Sequence, residues 1–285
     1  MLKGKTIGIL GAGNMGEALI GGLVKACIVS PDQIVASRRN KSALRKLEEL
    51  YGIRTTVDNR ELVKESDVVV VAVKPQVLPD VLDGVSDLFH NGKLLISIAA
   101  GISTDLIEQL LGKDVPVIRV MPNVAALGGE GISPYCLGKH STEAHALMAN
   151  EIFSAVGVTV MVDEELMDPV TAISGTGPAY VFYLMEALID AGTALGFPPI
   201  VARALVRQTF YGAAKLLTET TKTPTDLRLM VTSPQGTTHA AISYLESREF
   251  SSLIKAAVDR ANIRAKELGA MHAKRLASRN KTRKD

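Results

Sequence analysis

Tryptophan is absent from this chain of 285 residues, and Phe and Tyr together make it only 4% aromatic. A surface that stacks nucleic-acid bases is therefore poorly supplied. Charge of one sign is missing as well. The 32 Lys and Arg stand against 30 Asp and Glu, and a net charge of +2 makes no strong field for nucleic acid or a membrane surface. Cysteine is scarce. Cys27 and Cys136 have no partner at metal-ligand spacing, so neither a disulfide framework nor any metal site is expected, only two buried free thiols in a reducing compartment. No apolar run reaches the length of a membrane span. The first strand begins almost at once, leaving no room for a signal or transit peptide. A cytoplasmic enzyme with a small-molecule substrate fits these absences. What is present is an ordinary globular composition, 47% hydrophobic and 22% charged, at a length that favours two domains.

The chain is organised around Gly11-Ala12-Gly13-Asn14-Met15-Gly16. The apolar run Ile7 to Leu10 reads as a buried strand, and Glu17 to Ala26 as an amphipathic helix. Between them the spacing G-x-G-x-x-G gives each glycine a task in a dinucleotide site. Gly11 takes the tight turn, Gly13 lets a pyrophosphate approach the backbone, and Gly16 lets helix and strand pack closely. The helix start offers unpaired N–H groups, those of Asn14 and Met15 among them, and a positive dipole end.

From there β and α patterns alternate. Strands are expected at 34–37, 55–57, 67–73, 93–100 and 116–120, with two more at 131–137 and 156–162. Helices are expected at 41–50, 61–65, 77–89, 104–111 and 142–155. This alternation predicts a doubly wound parallel sheet. Ligands of such sheets bind beyond the carboxyl ends of the strands, which marks Ser37, Val73-Lys74-Pro75, Ala100 and Asn123. At the second strand end, where an NAD site would carry a carboxylate for the ribose, stand Ser37-Arg38-Arg39. A hydroxyl followed by guanidiniums suits a 2′-phosphate, so NADPH is the expected cofactor, with NADH left open. The alternative is that Arg38 and Arg39 are solvated loop cations.

After Asp163 the period becomes helical throughout, which places a domain boundary there: 1–163 for the dinucleotide, 164–285 for a helical domain. Within the segment 164–194, Ser174-Gly175-Thr176-Gly177-Pro178-Ala179 sets small residues into an apolar helix. Either they form a kink or close crossing, or their hydroxyls face a ligand. The turn Thr232-Ser233-Pro234-Gln235-Gly236 leads into a helix at Thr237-Thr238, and offers hydroxyls and unpaired N–H groups to a carboxylate. A last helix is expected over 251–268 with Gly269 as its stop, followed by a solvated basic tail.

These motifs, with Val73-Lys74-Pro75-Gln76 and Met121-Pro122-Asn123, resemble those of the pyrroline-5-carboxylate reductase family over essentially the whole chain. The resemblance implies an α/β fold, a Rossmann-type sheet followed by an all-α dimerisation domain. It also implies interlocked homodimers that assemble into a ring of dimers. The implied reaction is hydride transfer to a cyclic imine, the last step of proline synthesis. Thr238 would then meet the ring nitrogen as the catalytic group. Ser233, Gly236 and Thr237 would hold the substrate carboxylate, with Ser174 and Thr176 lining the substrate site. Lys74 and Asn123 would lie near nicotinamide and ribose, unless Lys74 caps a helix or pairs with a carboxylate. His239 is the weaker candidate acid. The family usually has Gly or Asn at the position of Gln235. Two rivals remain: a hydroxyacid dehydrogenase, which would need a catalytic Lys on a second-domain helix, and a non-catalytic NADPH-binding sensor.

Overall fold

The computed structural model describes residues 1–282, with side chains to residue 276. Strands and helices alternate as β1 (Ile7–Leu10), α1 (Asn14–Lys25), β2 (Ile34–Ser37), α2 (Lys41–Tyr51), β3 (Arg54–Thr56), α3 (Asn59–Glu65) and β4 (Val68–Val71). They continue as α4 (Leu78–Asp83), β5 (Leu94–Ser97), α5 (Thr104–Leu111), β6 (Val117–Val120), β7 (Gly131–Leu137), α6 (Glu143–Ser154) and β8 (Gly157–Met161). The strands form one sheet in the order β3-β2-β1-β4-β5-β6-β7-β8. All neighbours are parallel except β6 and β7.

The unbroken apolar strands are explained by burial on both faces. Ile7, Ile9, Val68, Val70 and Ile96 join one core cluster with Leu19 and Ile152. Leu10, Val69, Val71 and Leu95 join another, with Leu62, Leu82 and Ile107. The order of the strands reverses between β1 and β4, so the loops after them diverge and leave the crevice in which such sheets bind ligands.

A π-helical turn, Thr171–Gly175, follows α7 (Met167–Val170). Beyond it lie α8 (Gly177–Ala194), α9 (Pro199–Thr218), α10 (Pro224–Met230), α11 (Thr237–Ser247) and α12 (Phe250–Thr282). The chain divides into two compact units. One comprises Met1–Thr176 and the chain from Ala261; the other is Gly177–Arg260. This differs from a boundary at Asp163, because Glu164 and Asp168 are ion-paired to Arg119 of β6 and keep their segment with the sheet.

In the second unit α8, α10 and α11 have no buried residue. Leu195, Ile200 and Tyr183 are 82%, 79% and 76% exposed. Among the described residues, no helix is long and apolar enough to cross a membrane.

Several expectations change. The helix expected over 77–89 is α4 plus a 3-10 turn, Ser86–Leu88, broken after Gly84. The strand expected to reach Ala100 stops at Ser97. Cys27 is exposed, at a left-handed φ of 52° just past α1, and only Cys136 is buried. The last helix does not stop at Gly269 but runs on to Thr282, so much of the expected tail is helical. Arg283 and Lys284, the end of that tail, lie outside the described residues.

Candidate functional site

The glycine turn is built from backbone contacts. Gly11 has φ +92°, and a Cβ there would stand 2.5 Å from Val73 Cγ1 and 3.0 Å from the Val73 nitrogen. No other residue fits both demands. The N–H groups of Gly11 and Ala12 donate to the Ser37 carbonyl at 3.0 and 2.9 Å. The turns after β1, β2 and β4 therefore meet at one place. A Cβ on Gly13 would meet nothing within 4 Å, whereas one on Gly16 would stand 3.0 Å from Ile9 Cγ2. Gly13 thus leaves open space above the turn, while Gly16 closes helix onto strand. The first helical bond of α1 is Glu17 N–H to the Gly13 carbonyl, so the N–H groups of Asn14, Met15 and Gly16 remain for an anion. The Met15 side chain packs against the core and Asn14 is exposed. The open space at Gly13 and the free donors fit the pyrophosphate of a dinucleotide.

Ser37 is only 1% exposed, and its hydroxyl donates to Asn59 Oδ1 at 2.8 Å. Its principal task is to assemble the turn, through its carbonyl and through Asn59. Asn59, the first residue of α3, carries no motif in the sequence that would mark it. Arg38 is half-buried, Arg39 is exposed, and neither guanidinium has a partner among the described residues. Both are available to a phosphate. The turn at Val73-Lys74-Pro75 is closed by Val77 N–H on the Lys74 carbonyl, 3.0 Å, and the Lys74 side chain is exposed.

Asn123 follows β6 and is tied down on both sides. Its Nδ2 donates to the Ser174 carbonyl at 3.2 Å, and its Oδ1 accepts from Ile132 N–H at 3.3 Å. The structure therefore joins a strand-end residue to the π-helical turn. Inside that turn the Ser174 hydroxyl donates to the Val170 carbonyl at 3.1 Å, and the Thr176 hydroxyl to the Thr171 carbonyl at 3.0 Å. Widened turns of this kind free backbone groups and are frequent at functional sites. Gly175 lies where a Cβ would come 3.0 Å from Met121 Cε. Ala100 is half-buried just past β5, beside Gly101.

The remaining predicted residues belong to the second unit. Gly236 N–H donates to the Ser233 carbonyl at 3.1 Å, and a Cβ on Gly236 would stand 2.4 Å from Ser233 Oγ. Gly236 is the N-cap of α11 and supplies no side chain, so the N–H groups of Thr237, Thr238 and His239 have no partner among the described residues. The hydroxyls of Ser233, Thr237 and Thr238 have no partner among the described residues. Thr238 is half-buried; Ser233, Thr237 and His239 are exposed. Gln235 sits at φ +60°, the left-handed region that favours Gly or Asn. Replacing Gln235 with Gly should relieve about 1–2 kcal/mol of strain against about 0.5–1 kcal/mol of added chain entropy. Urea unfolding of Gln235→Gly should therefore show a stability between that of the wild type and about 1.5 kcal/mol above it, and a clear loss would show that the side chain itself holds the turn.

One polar cluster carries no motif in the sequence. Arg119, 4% exposed in the middle of β6, donates Nη1 to Glu164 Oε1 at 2.6 Å. Its Nη2 makes no hydrogen bond and stands 3.6 Å from Asp168 Oδ1. Glu164 Oε2 also accepts from Thr104 N–H at 3.2 Å, Thr104 Oγ1 at 2.8 Å and the Cys136 thiol at 3.2 Å. Burial, and then the Glu164 charge, push the Cys136 thiol far above its ordinary range, so it stays protonated. Among the described residues no cluster could hold a metal ion. A lone cation inside the β-branched run 117–120 was the available signal.

Sheet order, glycine turn and free donors together define a Rossmann-type dinucleotide-binding fold, and the relatives below make the chain an NAD(P)-dependent oxidoreductase. Residues 6–101 match the model of NADP oxidoreductases that are coenzyme F420-dependent, and residues 164–268 match that of pyrroline-5-carboxylate reductase dimerisation. The chain belongs to the pyrroline-5-carboxylate reductase family. It is 44% identical to the pyrroline-5-carboxylate reductase of Methanosarcina acetivorans over 94% of this chain and 99% of that one. For the Arabidopsis thaliana enzyme of that name the identity is 38%, over 92% and 95%. The solved pyrroline-5-carboxylate reductase of Coxiella burnetii superposes with a TM-score of 0.89 at 37% identity, covering 93% of this chain and 98% of that one. The Plasmodium falciparum pyrroline carboxylate reductase, solved with NADP bound, gives 0.83 at 32%, with coverage of 93% and 98%.

Proposed function

We propose that this chain reduces 1-pyrroline-5-carboxylate to L-proline, with NADPH as the preferred donor, as a cytoplasmic homodimer that assembles into a ring of dimers. The observation that carries the reading is the Ser233–Thr238 turn. It offers free hydroxyls and helix-start N–H groups in a chain whose first unit holds a dinucleotide turn. When bound, the reduced nicotinamide supplies the hydride that adds to the C=N carbon. The imine nitrogen arrives protonated, so the π pair moves onto it and leaves a secondary amine. A strong protein acid is unnecessary; the protein must hold and orient the ring. Ser233, Thr237 and the N–H groups at the start of α11 bind the carboxylate. Thr238 hydrogen-bonds the ring nitrogen and fixes which carbon face is presented.

Support for the dimer comes from α8 and α9, on which Phe182, Tyr183, Leu188, Ile200, Leu205 and Tyr211 are exposed, the kind of apolar surface that a partner chain covers. Light scattering on the purified chain tests this, with a monomer as the contrary result.

The decisive assay is steady-state NADPH oxidation with pyrroline-5-carboxylate, with NADH as the comparison. Turnover with NADPH preferred is expected. The double variant Arg38→Ala/Arg39→Ala should raise the KM for NADPH about tenfold or more, the scale of one lost charge-assisted phosphate contact, and leave the KM for NADH unchanged. A wild type that prefers NADH would keep the reductase and remove the arginines from the phosphate site. Bound cofactor without turnover would point to the non-catalytic sensor.

A further inference from the structure

We propose that Gly269 is a positioning residue for the dinucleotide. The crossing of α12 over the Ala100–Gly101 turn holds that turn in the form that receives the cofactor. The inference rests on the proposed cofactor role of that turn.

Gly101 has φ +71°, and a Cβ on it would lie 3.4 Å from the Gly269 nitrogen and 3.5 Å from His272 Cδ2. From the other side, a Cβ on Gly269 would lie 3.5 Å from the Gly101 carbonyl oxygen. The helix backbone and the turn backbone touch with no side chain between them. Glycine inside a helix weakens it. Gly269 lies well within α12, so ending the helix does not account for it. The crossing limits what can stand there, since a methyl group would just touch the turn and anything larger would press on it.

Beside this crossing a pocket of about 380 Å³ separates α5 from α12, lined by Leu106, Leu110, Ala270, Ala273 and Leu276. At Gly269 and His272 the helix meets the turn directly, and the cavity leaves room for movement beside α5. A side chain longer than a methyl group at position 269 must displace the turn or tilt the helix toward the pocket. The first movement shifts the backbone just past β5, where a ligand of this sheet is received, and the second withdraws the contact that holds it.

The test uses the full chain with Gly269→Ala, Gly269→Leu and His272→Ala. The NADPH dissociation constant is followed by cofactor fluorescence and set beside KM and kcat with pyrroline-5-carboxylate. In Gly269→Ala the methyl sits at ordinary contact distance, so NADPH binding should be unchanged. The melting temperature should rise by about 2–4 °C from the better helix former. Gly269→Leu should weaken NADPH binding and raise its KM about tenfold. Its kcat at saturation should stay within about twofold, and its KM for the imine should not move. A purely structural glycine would lower the melting temperature and leave the NADPH constant alone; that result overturns the proposal, as does a defect confined to kcat or to the imine. If Gly269→Leu does not fold, His272→Ala decides: weaker NADPH binding supports the proposal and unchanged binding overturns it. A wild type that binds no NADPH would overturn both this proposal and the dinucleotide reading. NADPH binding without turnover would remove only the reductase reading, and the binding series would still decide.

Discussion

Replacing Thr238 with Ala should lower kcat about 100-fold, the scale of one well-placed hydrogen-bonding group at a reacting atom, while NADPH binding and the melting temperature stay at wild-type values. The combination is what makes the test informative. The Thr238 hydroxyl bonds nothing else among the described residues, so its loss removes no contact that the fold uses. On the proposed reading the N–H groups at the start of α11 still hold the carboxylate, so the KM for the imine should move little. Thr238→Ser keeps the oxygen and should recover most of the rate. If Thr238→Ala turned over like the wild type, Thr238 would not contact the ring nitrogen, and the catalytic assignment would fall to another group.

The second large effect concerns stability. Arg119→Ala should destabilise the protein by about 3 kcal/mol, the lower end of the range for breaking a buried ion pair. The lower end applies because Glu164 retains 30% side-chain exposure and stays partly solvated. The corresponding fall in melting temperature is about 6–12 °C. The damage comes from what is left behind. Glu164 would keep its bonds from Thr104 and Cys136 but lose its counter-charge, and Asp168 would lose its own. Arg119→Met with Glu164→Gln should therefore recover part of the loss, since the pair of changes removes both charges together. Equal losses in Arg119→Met alone and in the double variant would show that the charge left on Glu164 is not what costs stability.

Local features were legible in the sequence. The glycine turn could be read because each glycine answers a backbone demand within a few residues, and the β4 run because burial on both faces requires unbroken apolar side chains. The Ser233–Thr238 turn was legible for the same reason, since a helix start exposes N–H groups wherever it occurs. Contacts between distant positions were not. Asn123 reaches a residue 51 positions away and Arg119 one 45 positions away, and no periodicity encodes either. Ser37 was marked for a cofactor phosphate because it ends a strand, yet its hydroxyl is engaged by Asn59, a partner set by the approach of α3. Gly269 was misread for a specific reason. A helix stop and a helix crossing close enough to limit side-chain size both favour glycine, and only the position of the Ala100–Gly101 turn tells them apart.

The return of α12 to the first unit also has a consequence in time. During synthesis the sheet strands are all complete before the 84 residues of Gly177–Arg260 are made, and the segment that closes over the Ala100–Gly101 turn comes after them. At about 5–20 residues per second this interval lasts about 4–17 s. Through that interval the Ala100–Gly101 turn of the nascent sheet lacks the helix backbone that later packs on it.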